Sequence, residues 1–575
     1  MPHSLGTALL AASTADKPSV GYGTLAALVL FIVASMWIGM LANRAMQSTS
    51  FMKGFFLGNR GLGAWALALT ATVQSGGTFM GFPSLVYTHG WAVTLWIAGY
   101  MVVPITGFGV LGKRMARLSR MTGAITVPDI FRARFNSPRL GLTASLLIMF
   151  YMSFMMVAQF KAGALVMKLA WPGSGMLALT EETGAGSLGT AYYIGLAIFT
   201  ITVVGYTLLG GFLAAVWTDL FQSVMMLVGV VVLLVLSLQQ AGGLENATRQ
   251  AIKNTDPATA TYALGPGFDD PKVNPPDPKK PDKLMTFDAE RPRAFMPLGL
   301  AFSYFFVWVY SGLGSPAGLV RIMAGKSTGV IRRSIYLLST YNLFIYIPLI
   351  MICICGRALI PELPDKTDEI IPRMALRTTQ HLPGGSFIAG LILAAPFGAV
   401  MATVSSYLVV IASGLVRDVY QRFINPEAGS HQLRRLSYIV MIVVGAIAVV
   451  ANLDPPRYLQ AVVVFSGTGA AATFCVPALM LAFWRRATER GMLAGMIGGA
   501  ATVLSLYSIG FLGLAGEQRI GQFTGFRPYF LCDLDPLVWG LAVSCVAGIA
   551  VSLATRPPDA ALVSRLFDAQ PESGT

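Results

Sequence analysis

The feature that most constrains this chain is a series of apolar runs, each close to the roughly 20 residues that an α-helix needs to cross a bilayer. These runs lie at about 22–43, 62–87, 91–112, 141–168, 190–210, 213–240, 295–319, 334–357, 385–413, 434–452, 458–484, 491–514 and 536–555. Only 12% of the 575 residues are charged, whereas soluble proteins carry about 25%. The sequence therefore predicts an all-α, polytopic membrane protein with about thirteen transmembrane helices.

The positive charges follow alternate spans. Basic residues cluster after the first, third, seventh and eleventh spans, with Arg44, Arg117, Arg321 and Arg485 as examples, and the intervening loops are neutral or slightly acidic. Because Lys and Arg collect on the cytoplasmic side, this alternation predicts an external N-terminus and a cytoplasmic C-terminus in a bacterial-type inner membrane. The net charge of +14 is thus a topology signal, and we expect no nucleic-acid partner.

Two spans contain residues that interrupt helices. The second span has Gln-Ser-Gly-Gly-Thr at 74–78, and the seventh has three glycines and a proline within 312–318. Proline removes a backbone donor and glycine weakens a helix. Since five spans separate the two segments, they face opposite ways, which is typical of transporters with inverted repeats and a site at the bilayer midplane. The alternative, that the glycines only allow close helix packing, is less favoured by this correspondence.

Two charged residues lie inside spans. Asp219, in the sixth span after a turn predicted at Gly210 and Gly211, is a functional candidate because an acidic residue in a span faces the bundle interior or a cavity. The alternative is an interfacial residue that caps the helix. Lys161, in the fourth span, could meet a substrate carboxylate or could extend to the membrane surface, and the second position is favoured.

The ninth span presents a face of small and hydroxyl-bearing residues. Ala399, Ala402, Thr403 and Ser406 follow a helical spacing, with Ser405 beside them. Their hydroxyl groups suit Na⁺ as hard oxygen ligands, although each could instead bond to a carbonyl group of its own helix.

No set of catalytic residues is visible, and the four histidines lie at the terminus or in loops. The phosphate-binding Gly-x-x-x-x-Gly-Lys-Ser/Thr motif is also missing from the sequence, so transport would depend on an ion gradient and we expect no enzyme activity. The alternative classes are a channel, which would pass ions without solute, and a receptor, which would usually add a signalling domain.

Four motifs resemble, in order, those of the sodium/solute symporter family, which includes proline, sugar and pantothenate carriers. They are ATVQSGGTFMG, TVPDIFRARF, YTLLGGFLAAVWTDLFQ and AAPFGAVMATVSS, and the resemblance covers about residues 20–485. It implies a LeuT-type 5+5 inverted-repeat core with one leading and two trailing helices, and Na⁺ as the coupling ion. The expected parts are an external tail (1–20), a leading helix with a cytoplasmic loop (21–61), a first repeat (62–241), an external loop (242–294), a second repeat (295–484), two trailing helices (485–556) and a cytoplasmic tail (557–575).

The resemblance also implies two sodium sites. The main site would use the backbone carbonyl groups of Ala71, Gln74 and Ala399 and the side chains at positions 402 and 403. Ala402 has no hydroxyl group, so only Thr403 supplies one, and a proton could replace Na⁺ there. A second site would use Asp219, Ser405 and Ser406.

The pantothenate branch is the most similar in sequence, for example in GLGSPAGLVRIM and GRALIPEL. We therefore expect uptake of a carboxylate such as pantothenate, with another monocarboxylate, an amino acid or a sugar as alternatives. The expected partners are this solute and membrane lipid, with the protein acting as a monomer. The residues expected near the solute are Ser75, Gly76, Thr78, Lys161, Trp308, Tyr310 and Ser311.

Overall fold

The computed structural model describes residues 21–44, 60–71, 75–91, 93–172, 189–254, 276–277, 280–284, 298–361, 363, 366–455, 459–514 and 526–568. Within these ranges the protein is almost entirely helical. Two short antiparallel strands, β1 (Pro276–Asp277) and β2 (Lys280–Leu284), lie in the segment between the helices Leu244–Lys253 and Leu298–Gly314.

The helices follow one another in the chain with mostly short connections. In order they are α1 (Tyr22–Arg44), α2 (Ala64–Ala71), α3 (Phe82–His89), α4 (Val93–Val103), α5 (Lys113–Thr122), α6 (Val127–Phe135), α7 (Pro138–Ala170), α8 (Thr190–Ala241), α9 (Leu244–Lys253), α10 (Leu298–Gly314), α11 (Pro316–Ala324), α12 (Thr328–Leu359), α13 (Ile370–Thr379), α14 (Gly385–Ser413), α15 (Ser430–Ala451), α16 (Leu459–Phe483), α17 (Glu489–Phe511), α18 (Pro536–Ala554) and α19 (Ala560–Phe567). Wider π-helical turns extend three of these helices, at Gly77–Gly81 before α3, Pro104–Gly112 after α4 and Gly414–Ile424 after α14. Short 3₁₀ turns lie at Thr367–Glu369 and Leu531–Asp533.

Eleven helical stretches in the described residues are long and apolar enough to cross a bilayer. The two predicted spans that are not among them are 62–87 and 295–319, the two for which the sequence predicts breaks. In the first of these, the described residues are α2 (Ala64–Ala71), then Ser75 in non-helical backbone, and then the helical turns that precede α3; residues 72–74 lie outside the described part. The second is divided at Ser315 between α10 and α11. The total of thirteen crossings stays a prediction.

The break at Ser315 has a local cause in the sequence. Ser315 adopts an extended backbone (φ −70°, ψ 111°), and its side chain accepts a hydrogen bond from the amide of Gly318 at 3.4 Å. Pro316 then occupies the first position of α11, where its missing N–H group costs nothing. A serine cap followed by proline therefore ends one helix and starts the next within the same span.

The prediction of a turn at Gly210 and Gly211 is wrong, because the backbone is helical at both residues. One helix, α8, runs for 52 residues through both glycines, and its stretches Thr190–Leu208 and Ala215–Ala241 are each long enough to cross a bilayer. A glycine costs a helix about 1 kcal/mol relative to alanine. That cost is smaller than the several kcal/mol lost for each backbone group left unpaired in hydrocarbon, so the helical hydrogen bonding continues.

Candidate solute and sodium sites

A central cavity of about 110 Å³ lies where the two interrupted helices meet. Ser75 and Thr78, after the first break, and Ser311 and Ser315, at the second, belong to its wall. The other lining residues belong to α3, α4, α7, α10, α11, α12, α14 and α16 and to the π-helical turns that precede α3 and follow α4. Non-helical backbone at membrane depth survives only where it is buried in protein or lines a cavity. Ser75 and Ser315, the non-helical residues described at the two breaks, meet that condition because both line the cavity.

Four of the seven residues expected near the solute line this cavity, namely Ser75, Thr78, Trp308 and Ser311. Two others lie outside its wall. The amide of Gly76 donates a hydrogen bond to Oε1 of Gln159 at 2.7 Å. The ring of Tyr310 stacks on Phe306, with 5.6 Å between the ring centroids.

Lys161, the seventh, occupies neither of the positions that the sequence suggests. Its Nζ lies 2.6 Å from Oδ2 of Asp368, and both residues are 5% exposed. The same carboxylate oxygen accepts a hydrogen bond from the amide of Leu459 at 3.2 Å. Lys161 thus joins α7, the turn before α13 and the first residue of α16 in a buried cluster, which we call the Asp368 contact. Because Asp368 belongs to a loop in the sequence, hydropathy alone gives no sign of this pairing.

Side chains satisfy the backbone at the first break. Oγ of Ser75 accepts a hydrogen bond from the amide of Gly77 at 3.1 Å, and Oγ1 of Thr78 accepts one from the amide of Ser75 at 3.3 Å. The hydroxyl group of Thr78 is also 3.1 Å from that of Tyr346 on α12. The amide groups of Ser75 and Gly77 are therefore bonded within the protein, and the hydroxyl groups of this segment hold its shape.

Three buried polar atoms of cavity-lining side chains have no hydrogen-bond partner in the described part of the chain. They are Nε1 of Trp96, Nε1 of Trp308 and Oε1 of Gln460. The two indole rings stack with their centroids 6.2 Å apart. Gln460 packs against Gly81, where a methyl group would collide with its Oε1. Trp96 and Gln460 were not singled out by the sequence; their only signal is a polar atom within an apolar span.

The main predicted sodium site lies partly within the described residues. Ala399, Ala402 and Thr403 are buried on α14. Ala71 is the last residue of α2, and Gln74 lies outside the described residues. Oγ1 of Thr403 donates a hydrogen bond to the carbonyl oxygen of Ala399 at 2.9 Å. A hydroxyl group that donates its proton keeps its oxygen lone pairs, so this bond by itself does not use the oxygen lone pairs of Thr403.

An arginine occupies the second predicted sodium site. Nη2 of Arg321 lies 2.6 Å from Oδ2 of Asp219 and 2.5 Å from Oγ of Ser406. Asp219 and Arg321 are 1% and 2% exposed, so Asp219 lies inside the bundle and is not an interfacial cap. The assignment of Arg321 to a loop is wrong, since α11 restarts at Pro316 and carries the guanidinium group into the interior. The positive charge next to Asp219 thus comes from the protein itself.

The hydroxyl groups of this second site also bond to their own helix. Oγ of Ser405 and Oγ of Ser406 both donate to the carbonyl oxygen of Ala402, at 3.0 and 2.8 Å. The other oxygen of Asp219, Oδ1, and the other terminal nitrogen of Arg321, Nη1, are buried and have no hydrogen-bond partner among the described residues. The ion pair of Asp219 and Arg321 is therefore shielded from solvent, but one polar atom of each partner makes no hydrogen bond to the described residues.

A second polar cluster, which we call the Asp418 contact, lies towards the opposite end of α7. Asp418 accepts hydrogen bonds from Thr126 at 2.9 Å and from Ser145 at 3.5 Å. Asp129 pairs with Arg422 at 3.1 Å. Ser145 and Lys161 are separated by about 24 Å along the axis of α7, at 1.5 Å per residue, so polar contacts join the helices at both ends of the bundle.

An all-α bundle with a cavity at two interrupted helices is the architecture of a secondary membrane transporter. The sodium:solute symporter family matches residues 55–499 of this chain. The chain belongs to this family. It is accordingly a multi-pass membrane transporter for a small-molecule solute, not an enzyme, and Na⁺ is its coupling ion. The family resemblance drawn from the four motifs is confirmed.

Two curated relatives and one solved structure are similar to this chain over most of its length. The sodium/pantothenate symporter of Escherichia coli (strain K12) is 30% identical over 492 residues, covering 84% of this chain and 91% of that protein. The sodium/proline symporter of the same strain is 27% identical over 500 residues, covering 85% and 89%. The structure of a Na⁺-coupled sialic acid symporter in a substrate-bound outward-open state has a TM-score of 0.65 at 17% identity, covering 94% of this chain and 99% of that one. This last likeness confirms the predicted LeuT-type fold.

Proposed function

We propose that this symporter couples inward movement of Na⁺ to uptake of a small carboxylate solute, with pantothenate as the best candidate, by exposing its central cavity alternately to the two sides of the membrane. The solute class is inferred from three polar atoms on cavity-lining side chains that have no hydrogen-bond partner among the described residues.

The chemistry of these atoms favours a carboxylate. The indole groups of Trp96 and Trp308 are hydrogen-bond donors only, and two neighbouring donors match the two oxygen atoms of a carboxylate. The carboxamide oxygen of Gln460 is an acceptor that matches a hydroxyl or amide group of the same solute. A buried polar atom without a partner costs about 1–3 kcal/mol, so a solute that supplies these partners recovers that free energy on binding.

Pantothenate meets this requirement with one carboxylate, one amide and two hydroxyl groups. Its candidacy is supported by the similarity of the chain to the sodium/pantothenate symporter of Escherichia coli. Proline also carries a carboxylate, and similarity to proline symporters keeps an amino acid as the second candidate. A sugar would need more Asn, Gln or Glu side chains than the cavity wall contains among the described residues.

The proposed orientation puts the N-terminus outside and the C-terminus in the cytoplasm of the inner membrane. The basic loops after alternate spans support it. With thirteen crossings, the Asp368 contact then faces outside and the Asp418 contact faces the cytoplasm. Alternating access would open one of these contacts at a time, and the cavity lies between them.

Equilibrium binding tests the solute assignment directly. The purified protein in detergent would be incubated with labelled pantothenate in NaCl or in KCl of equal ionic strength. We expect saturable binding in NaCl only, displaced by unlabelled pantothenate and poorly displaced by proline or glucose. Na⁺-dependent binding of proline without any binding of pantothenate would overturn the choice of solute and leave the carboxylate class standing. Binding of glucose alone would overturn both.

Removal of an indole N–H group should weaken solute binding specifically. Trp308→Phe keeps an aromatic ring in the cavity wall and removes the donor, as does Trp96→Phe. A hydrogen bond to a charged group contributes about 1.5–3 kcal/mol, so each variant should raise the solute dissociation constant by roughly 10- to 100-fold. The control is Trp37→Phe on α1, where the side chain is 60% exposed and no change is expected. Unchanged affinity in both cavity variants would remove the indole groups from solute recognition.

The proposed main sodium site has one hydroxyl ligand where the family pattern has two, and this difference can be tested in both directions. Thr403→Ala removes that ligand and should raise the Na⁺ concentration for half-maximal uptake by about tenfold, the equivalent of about 1.4 kcal/mol. Ala402→Ser supplies a hydroxyl group at the neighbouring position and should lower the same concentration. Both are read from initial uptake rates at fixed pH. If neither variant shifts the Na⁺ dependence, this face of α14 serves only for packing.

A further inference from the structure

Gln159, on α7, contacts Gly76 beside the first break and is neither a cavity-lining residue nor a proposed sodium ligand. Its Oε1 accepts a hydrogen bond from the amide of Gly76 at 2.7 Å, and the residue is 0% exposed. The two residues are 83 positions apart in the chain. This bond is therefore a tertiary contact that fixes the interrupted segment to a continuous helix.

The backbone at Gly76 is held closely on two sides. A methyl group built on its Cα would lie 2.6 Å from Cβ of Ala162 on α7 and 3.3 Å from Cγ2 of Val400 on α14. Side chains larger than hydrogen therefore do not fit, and the break lies in direct contact with both helices. Val400 adjoins Ala399 in the proposed main sodium site, so the position of Gly76 bears on the spacing between the first break and that site.

Among the described residues, the one strong hydrogen bond of the Gln159 carboxamide is the bond to the amide of Gly76. Its Nε2 lies 3.4 Å from the sulfur of Met155, which is a weak acceptor. An N–H group requires an acceptor, so the amide of Gly76 fixes the carboxamide with its oxygen towards the break. Among the described residues, the orientation of Gln159 is thus set by Gly76, and the position of Gly76 is in turn set by Gln159.

We propose that Gln159 is a positioning residue for sodium, which holds Gly76, beside the first break, at the distance from α14 that a cation bound between the break and α14 requires. This proposal rests on the proposed sodium ligands of the break and α14. A cation that takes oxygen ligands from two segments binds tightly only when both are already in place, because ordering them on binding costs free energy. Gln159 supplies that order from a third segment, α7, without touching the ion.

The test compares variants that keep or remove the acceptor at residue 159. Na⁺ that binds the folded state raises its melting temperature, so the Na⁺ concentration for half of the maximal thermal shift reports affinity without any solute. Gln159→Met has a similar length and no strong acceptor, and should raise this concentration by about tenfold. Gln159→Glu keeps an oxygen at the same reach and should not raise it. KCl at equal ionic strength is the reference for each variant.

The outcomes separate this inference from the proposed function. A wild-type protein without a Na⁺-specific thermal shift would contradict the proposed sodium ligands themselves. A normal wild-type shift, with Gln159→Met unchanged or with Met and Glu variants equally impaired, would overturn the role of Gln159 alone. If Gln159→Met does not fold, Gln159→Asn withdraws the carboxamide by one methylene group and should raise the half-maximal concentration in the same way. A folded Gln159→Asn variant with wild-type Na⁺ dependence would also overturn the proposal.

Discussion

Asp219→Asn is expected to lower the stability of the fold as well as Na⁺-dependent uptake. The carboxylate of Asp219 is the counter-charge of Arg321, and both groups are almost completely buried. Removing one partner of a buried ion pair costs about 3–5 kcal/mol, because the remaining charge is left without compensation. We expect a clear fall in melting temperature of the purified variant, together with a loss of most Na⁺-coupled uptake.

A double variant separates the two effects. Asp219→Asn combined with Arg321→Gln removes both charges and keeps polar side chains of similar size, so the melting temperature should return towards that of the wild type. Uptake should stay low if Asp219 takes part in cation coupling, either as a ligand or through Arg321 and Ser406. Recovery of uptake together with stability would show that the pair is only structural. A single Asp219→Asn variant with wild-type melting and Na⁺ dependence would contradict both roles.

Asp368→Asn, which breaks the buried ion pair of Lys161 and Asp368, is expected to lower stability and uptake about as much as Asp219→Asn does. The ammonium group of Lys161 would lose its carboxylate, and the amide of Leu459 would lose a charged acceptor. Because these bonds join α7 and α16 across the turn before α13, we expect a fall in melting temperature and at least a tenfold fall in the uptake rate. Thermal melting and initial uptake rates in proteoliposomes measure the two effects.

The chain offers a matched control for this experiment. Glu245 and Arg249 form an ion pair at 3.0 Å, with side chains that are 81% and 66% exposed. Exposed pairs of this helical spacing contribute about 0.3–0.5 kcal/mol, so Glu245→Gln should leave melting and uptake nearly unchanged. If Asp368→Asn behaves like Glu245→Gln, the Asp368 contact does not hold the helices together in the way proposed.

The architecture could be read from the sequence to a large extent. Apolar runs are long-range features that need no knowledge of contacts, and Gly, Ser and Pro act on the backbone locally, so the spans and the break at Ser315 were predictable. The placement of Ser75, Thr78, Trp308 and Ser311 near one cavity followed from the correspondence of two broken helices. The helical face of Ala399, Ala402 and Thr403 followed from periodicity alone.

The pairings between distant segments could not be read in this way. Arg321 counted as a loop charge because nothing in its own surroundings shows that it meets Asp219, 102 positions earlier. The contact of Lys161 with Asp368 spans 207 positions, and one partner lies in a loop. Three further residues, Trp96, Gln159 and Gln460, are single polar side chains in apolar spans. Only the tertiary structure shows whether the polar atom of such a side chain lies at a functional site or is simply buried in the bundle.

Solute accumulation driven by a sodium gradient distinguishes coupled symport from uncoupled transport. Proteoliposomes would receive labelled pantothenate under an inward Na⁺ gradient or an equal inward K⁺ gradient, at fixed pH and with the membrane potential clamped. Coupled symport predicts accumulation above the external concentration with Na⁺ only, and loss of this accumulation when an ionophore dissipates the Na⁺ gradient. Accumulation that is equal in Na⁺ and K⁺, or that only equilibrates the solute in Na⁺, would contradict coupled symport.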